Sequence, residues 1–166
     1  DEACQLFTKS HLPHRVLRTT RKEFQHGSSR NAAIARAKGE FICLITQDAI
    51  PVGTNWLKEL IQPFYLDKKI VGVFGRHVAH NGHPRIISRD IDQHFDRMNM
   101  LKLREISDKQ DYLNNEQHRQ LLHFFSNNNS AIRSSEWEKR PFPSVDFGED
   151  QLWAKSALED GLTLAY

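Results

Sequence analysis

Apolar residues fall along the chain either in short unbroken runs or at the spacing of one helix face. The run at 41–46 is almost entirely apolar and has polar residues on both sides. This pattern predicts a strand that is buried on both faces and therefore parallel to its neighbours. Less regular runs predict further strands at residues 14–19, 70–78, 124–133 and 162–166.

Helical spacing and capping residues predict helices between these runs. Ser28 or Ser29 can cap the first helix and Gly39 can end it, while Pro63 is expected to end or kink the second. The predicted helices cover residues 28–39, 54–64, 88–105, 107–122, 134–137 and 149–159. Strands that alternate with helices predict an α/β fold with a largely parallel sheet.

Composition narrows the class of protein. The chain has 166 residues, of which 39% are hydrophobic and 27% charged, as is typical of one globular domain. A formal net charge of +2, carried by scattered Lys and Arg residues, argues against a nucleic-acid-binding protein. Cys4 and Cys43 do not make a disulfide framework, and no signal peptide or membrane-spanning run is visible.

The two ends of the sequence look cut. The chain does not begin with Met, and it stops inside a predicted strand. We therefore expect a fragment of a longer protein, truncated at both ends.

Two acidic sites carry the most informative chemistry. Asp48 follows the apolar run at 41–46, and Glu149 and Asp150 begin the last predicted helix. The carboxyl ends of strands in an open α/β sheet converge on a ligand crevice. Asp48 can hold Mg²⁺ or Mn²⁺ there, or it can be an ordinary turn residue. Asp150 can be a general base, or it can only compensate a helix dipole, and the local sequence leaves both choices open.

Other candidates are weaker. Arg30 and Asn31, in the turn at 27–31, can contact a phosphate or a nucleotide, although helix capping alone explains the neighbouring serines. The loop at 127–130 is a turn by default and an acceptor-binding loop at best, and Trp153 can stack on a sugar or pack in the core. Zinc binding is the less favoured interpretation of three regularly spaced histidines without a neighbouring Cys. These are His77, His80 and His83.

Together these segments resemble a family 2 glycosyltransferase with the GT-A fold, and they are most similar to its bacterial rhamnosyltransferase-like members. The matching segments keep the family's order over most of the chain. They are FQHGSSRN at 24–31, LITQDAIP at 44–51, VFGR at 73–76, FSNNNSAI at 125–132, and PF at 141–142 with FGEDQLW at 147–153. The resemblance implies a mixed, mostly parallel sheet flanked by helices, in a single domain over 1–166 that lacks the family's first nucleotide-binding strands.

The resemblance implies a donor site that uses a divalent cation. Asp48 matches the last Asp of the family's D-x-D motif, so it would hold Mg²⁺ or Mn²⁺ against the diphosphate of a nucleotide-sugar donor. Gln47 lies beside it in the same motif. Arg30 and Asn31 match positions that lie near the nucleotide in similar enzymes.

The resemblance also implies the catalytic groups. Glu149 and Asp150 match the family's E-D motif, and Asp150 would be the general base of a transfer that inverts the anomeric carbon. It would take the proton of the acceptor hydroxyl as that oxygen attacks the sugar. Asn129 and Trp153 are the candidate contacts to the acceptor.

Two departures from the family pattern bear on activity. Thr46 replaces the first Asp of D-x-D, which leaves one carboxylate for the metal, so binding can depend on substrate phosphates. The family's first strands, and the later region where similar enzymes often carry a metal-binding His, are absent. We therefore expect the isolated chain to bind donor weakly and to turn over poorly.

The implied protein is a hexosyltransferase-type enzyme of bacterial surface polysaccharide synthesis. It would move a sugar, with rhamnose as the candidate, from a nucleotide-diphosphate donor to a saccharide or lipid-linked saccharide. No nucleic-acid partner is expected. We expect a cytoplasmic location, with attachment of the longer protein to the inner face of the membrane left open. The alternative is a non-catalytic sugar- or nucleotide-binding module on the same fold.

Overall fold

A computed structural model describes residues 13–166 as a mixed α/β fold. Cys4 lies outside these residues. The strands are β1 (Phe41–Ile45), β2 (Ile70–Phe74), β3 (Leu103–Arg104), β4 (Asn129–Arg133) and β5 (Thr163–Ala165). The helices are α1 (His26–Ile34), α2 (Trp56–Ile61), α3 (Arg85–Met98), α4 (Lys109–Asn114), α5 (Glu116–His123), α6 (Ser134–Lys139) and α7 (Glu149–Glu159), with a 3₁₀ helix at Gln62–Tyr65.

The strands form one sheet in the order β1-β4-β2-β5-β3, which confirms the predicted α/β class but not the predicted strand directions. Over residues 13–166, only β2 and β5 pair in parallel, and the other three pairings are antiparallel. The prediction of a mostly parallel sheet is therefore wrong. The physical reason is that β4 enters between β1 and β2 in the reverse direction, and an apolar run does not encode the direction of its partner.

The apolar run at 41–46 does form β1, but as an edge strand of the described sheet. It pairs antiparallel with β4, and Ile45 is 46% exposed. The prediction that this strand is buried on both faces is therefore also wrong. The predicted strand at 14–19 is wrong as well, because that segment is irregular and exposed.

The predicted helices form in the expected regions with shifted ends. α1 begins after Gln25, and neither serine caps it from outside the helix. The 88–105 region holds α3 and then the short β3, while 107–122 divides into α4 and α5 at Asn115. Pro63 coincides with the change from α2 to the 3₁₀ helix, as expected. α7 has the predicted bounds.

The sheet separates two apolar layers. The larger contains Phe74 and Trp153, and the smaller contains Phe64 and Val73. Gly72 allows the larger layer to close over the sheet, because a Cβ there would lie 2.9 Å from Trp153. Within the part of the chain that the structure describes, no helix is long and apolar enough to cross a membrane.

Candidate functional site

Four chain segments meet at one edge of the sheet. β1, β2 and β5 end there, and β4 begins there, since Ile45 pairs with Asn129 and Phe74 pairs with Ser130. The N–H of Gly75 donates to the Asn129 carbonyl at 3.0 Å, which holds the end of β2 against the start of β4. The residues that follow β1 and the residues that precede β4 therefore lie at the same edge, where α/β proteins bind ligands.

Asp150 lies in the first turn of α7 and is tied to this edge. Its Oδ2 accepts from the backbone N–H of Asn127 at 3.2 Å, and its Oδ1 accepts from the N–H of Gln151 at 2.9 Å. Gly148, with φ of 78°, supplies the left-handed turn that starts the helix. The carboxylate is thus fixed two residues before β4, as a positioned base requires.

Burial is the main cause that raises the pKa of the Asp150 carboxyl above its ordinary value. The charge of the neighbouring Glu149 adds to this rise, while the Asn127 N–H opposes it. A carboxylate with a raised pKa is a stronger proton acceptor at neutral pH than an ordinary one.

Glu149 has different surroundings from its neighbour. It is 5% exposed, and its Oε1 accepts from Nη1 of Arg30 in a close ion pair. α1 approaches this region closely because it has a glycine at position 27. A Cβ on Gly27 would lie 2.1 Å from the Pro143 carbonyl oxygen. The ion pair therefore joins two motifs that are 119 residues apart in sequence.

Asn31 strengthens the same junction. Its Oδ1 accepts from Nε1 of Trp137 at 2.8 Å and from the N–H of Phe142 at 3.0 Å. Its Nδ2 donates to the Phe142 carbonyl at 2.8 Å. The Asn31 amide thus bonds protein groups at both ends, and its contact with a nucleotide, like that of Arg30, stays a prediction.

Asp48 lies on the exposed loop after β1. Its pKa is below the ordinary value, chiefly because the Thr46 hydroxyl lies beside it, and the nearby His80 contributes. Nε2 of His80 lies 3.0 Å from the Asp48 carbonyl oxygen, which brings the loop after β2 against this loop. Gln47 is exposed next to Asp48, so both side chains are open to a ligand.

An ionised, exposed carboxylate suits one mode of metal binding. No group of three or more His, Cys, Asp or Glu residues in the described chain could hold a metal ion. Mg²⁺ is commonly held by one or two carboxylates together with substrate phosphates and water. Asp48 fits that mode, and the three-histidine zinc alternative does not fit. His77 packs on Phe95 at 4.7 Å between ring centroids.

The two acceptor candidates have different environments. Asn129 lies at the site edge, where its Oδ1 accepts from Nε1 of Trp56 at 2.7 Å. A Cβ at position 75 would lie 2.4 Å from the Asn129 Nδ2, so Gly75 lets this amide fit. Trp153 is 1% exposed and donates to the Arg140 carbonyl. Its ring is packed in the core, so the prediction that Trp153 contacts the acceptor is wrong.

Sequence reasoning missed two neighbours of Asp150. Asn127, predicted as part of a turn or at best of an acceptor-binding loop, supplies the N–H that holds the carboxylate. Phe147 is 87% exposed immediately before Gly148, and it lines a cavity of about 300 Å³ with Leu152 and Lys155. Asp150 is not among the residues that line this cavity. The position of Phe147 next to the E-D pair in sequence was the available signal.

A larger cavity lies elsewhere. Its volume is about 640 Å³, and it lies between the segment at 15–24 and α1, with Arg15, Arg18 and Arg36 among its lining residues. Neither Asp48 nor Asp150 lines it. We place the candidate site at the sheet edge because the acidic groups and their hydrogen bonds are there.

Comparison with known proteins gives two matches. The family model for glycosyl transferase family 2 matches residues 1–137. A 60-residue segment is 42% identical to the O-antigen chain rhamnosyltransferase WbaN of Salmonella anatum. That match covers 36% of this chain and 19% of the relative, so it spans about a fifth of the relative's length.

Proposed function

The chain belongs to glycosyl transferase family 2, and from this premise we propose that it carries the catalytic edge of an inverting glycosyltransferase. The donor would be a nucleotide-diphosphate sugar and the acceptor a saccharide or lipid-linked saccharide. One observation carries the proposal. Two carboxylates at the same sheet edge, Asp48 and Asp150, have pKa values shifted in opposite directions. Such a difference supports cation binding by Asp48 and proton transfer by Asp150.

In the proposed reaction, the acceptor hydroxyl oxygen forms a bond to the anomeric carbon while the bond from that carbon to the diphosphate oxygen breaks. Asp150 accepts the hydroxyl proton, and the Asn127 N–H keeps its carboxylate in position. Asp48 would hold Mg²⁺ or Mn²⁺, and the cation would offset charge on the leaving diphosphate.

Glu149 is proposed as a positioning residue. Its carboxylate pairs with Arg30, so it holds α1 against the start of α7 and fixes the helix turn that carries Asp150. This assignment separates the two members of the E-D pair, with one member ordering the site and the other touching the substrate.

Rhamnose as the sugar, and bacterial surface polysaccharide synthesis as the setting, are proposals supported by the similarity to the O-antigen chain rhamnosyltransferase of Salmonella. A cytoplasmic location, with contact of the longer protein to the inner membrane face, is likewise proposed. We also propose that the 166-residue chain alone turns over slowly.

A donor screen tests the function. The longer protein is incubated with nucleotide-diphosphate sugars and saccharide acceptors, with and without Mn²⁺. We expect Mn²⁺-dependent release of nucleoside diphosphate and a glycosylated acceptor. Metal-independent donor binding without release of the diphosphate for any donor would instead support the non-catalytic binding module.

A further inference from the structure

The loop between β2 and α3 ends in an exposed turn that contains the Asn-Gly pair Asn81 and Gly82. The N–H of His83 donates to the His80 carbonyl at 3.1 Å, which closes the turn around this pair. Gly82 has a φ of 100°, the left-handed conformation that the third position of a type II turn requires. The sequence contains no other asparagine that is followed by glycine. The turn therefore places an asparagine side chain beside a glycine nitrogen.

The surroundings of Gly82 leave its nitrogen open to reaction. Within residues 13–166, its N–H forms no hydrogen bond. A Cβ built on Gly82 would meet no atom within 4 Å, so the space around it is open. Asparagine is thermolabile because the next backbone nitrogen along the chain can attack its side-chain carbonyl carbon. Glycine hinders this attack least, because it has no side chain and few restrictions on its backbone angles.

Asn99, at the end of α3, has a different following residue. It is exposed like Asn81, but the next residue is Met100, whose N–H donates to the Arg97 carbonyl at 3.2 Å. The side chain of Met100 and the hydrogen bond of its N–H both hinder attack on the Asn99 side chain. The two asparagines therefore share solvent access and differ in the nitrogen that would react.

We propose that Asn81 is a deamidation site, with water as the co-reactant. The Gly82 nitrogen forms a bond to Cγ of Asn81, the bond from Cγ to Nδ2 breaks, and the Gly82 proton leaves with Nδ2 as ammonia. Water then opens the cyclic imide that results. Opening at Cγ gives aspartate, and opening at the main-chain carbonyl of residue 81 gives isoaspartate. The proposal does not depend on the proposed transferase function.

The modification changes the loop that contacts the Asp48 loop. Nε2 of His80 lies 3.0 Å from the Asp48 carbonyl oxygen, and His80 directly precedes Asn81. Either product adds a negative charge beside His80. Isoaspartate also lengthens the main chain inside the turn that His83 closes. Conversion should therefore shift the backbone amide signals of Asp48 and Ala49.

Peptide mass spectrometry on the full chain tests the site. The folded chain is held in warm, mildly alkaline buffer made with heavy-oxygen water, so each deamidation adds a heavy oxygen from the solvent. Cleavage after Arg and Lys places Asn81 in the peptide 77–85 and Asn99 in the peptide 98–102. We expect conversion at Asn81 before any at Asn99, and a protein isoaspartate methyltransferase should label the peptide 77–85. Asn81→Gln should lose the conversion, because the longer side chain of glutamine closes its ring much more slowly.

Gly82→Ala separates the effect of the glycine from that of exposure. A methyl group hinders the attack and disfavours the positive φ, so conversion at Asn81 should slow to the level of Asn99. NMR on the ageing chain follows the Asp48 and Ala49 amides, which should shift in step with conversion and stay unshifted in Asn81→Gln. Equal conversion at Asn81 and Asn99, no conversion at Asn81, or an unchanged rate in Gly82→Ala would overturn the site. Unshifted Asp48 and Ala49 amides in a converted chain would overturn its effect on the neighbouring loop.

Discussion

Asp48 and Asp150 are the same residue type at one sheet edge, but the protein surrounds them differently. Asp48 is exposed on a loop, and its pKa is lowered. Asp150 is half-buried at a helix start, two backbone N–H groups hold it, and its pKa is raised. The difference shows how one side chain can serve either a cation or a proton, according to its solvent access and its neighbours.

The comparison extends to the supporting residues. The Asp150 side is joined to α1 by the Arg30–Glu149 ion pair and the Asn31 hydrogen bonds. The Asp48 side has a cross-loop contact from Nε2 of His80 to the backbone carbonyl of Asp48. A rigid base and a more open cation site suit a reaction in which the donor brings phosphate ligands with it.

The largest expected effect comes from Asp150→Asn in the longer protein. The amide cannot accept the acceptor proton, so kcat should fall by about 10²–10⁴-fold, the range for general acid–base catalysis. Donor affinity should be unchanged in calorimetry, and removal of a half-buried charge should leave the unfolding midpoint equal or higher. The control is Asp146→Asn, on an exposed carboxylate four residues earlier in the chain. Unchanged turnover in Asp150→Asn would show that Asp150 is not the general base.

Arg30→Met should give the next largest effect, on stability. It leaves the Glu149 charge buried without a partner, which should cost about 3 kcal/mol of unfolding free energy. Urea unfolding measures this loss. The double variant Arg30→Met with Glu149→Leu should recover most of it, because no unpaired charge remains. Exposed Arg36, which lies two residues after the end of α1, provides the matched control, Arg36→Met. Equal losses of unfolding free energy in Arg30→Met and Arg36→Met would show that the ion pair does not order the site.

Asp48→Asn should act on metal affinity and leave the fold intact. Loss of one negative charge beside a divalent cation in water-like surroundings should weaken Mn²⁺-dependent donor binding by about tenfold or more. Asp67→Asn, on an exposed loop carboxylate, is the control. Mn²⁺ titration of donor binding measures the change, and equal Mn²⁺ dependence in wild type and Asp48→Asn would assign the cation elsewhere.

The smallest effect concerns pH. Asp150 must be ionised to accept a proton, and its pKa lies above the ordinary value of 3.8 because of burial. The value of kcat/KM should therefore fall as the pH is lowered through that raised pKa. Asp48→Asn should leave this acidic limb in place, since the Asp48 pKa is shifted in the other direction. If the acidic limb of the kcat/KM profile disappeared in Asp48→Asn, the proton acceptor would be Asp48 and not Asp150.

Local patterns predicted much of this arrangement. The bounds of α7, the strand at the apolar run and the change of helix at Pro63 each depend on neighbouring residues, so the sequence was sufficient. Asp48 and Asp150 were predicted to share a sheet edge for the same reason, since Asp48 follows a recognisable strand and Asp150 lies at the start of a recognisable helix.

Long-range features were not predictable in this way. The antiparallel entry of β4 and the Arg30–Glu149 pair each depend on the packing of segments far apart in sequence. Trp153 was ambiguous because a tryptophan at a helix position suits a core and a sugar site equally well. Its place over Gly72 is fixed only by the assembled sheet.

The central claim is that Asp48 and Asp150 act on one ligand at one edge, and paramagnetic broadening by Mn²⁺ tests it most directly. Amide signals are followed by NMR as Mn²⁺ is added with a nucleoside diphosphate, in wild type and in Asp48→Asn. We predict strong broadening at residues 46–49 and also at Asn127 and Gln151, whose N–H groups hold Asp150, with both effects lost in Asp48→Asn. Broadening at 46–49 that leaves Asn127 and Gln151 at full intensity would contradict the claim.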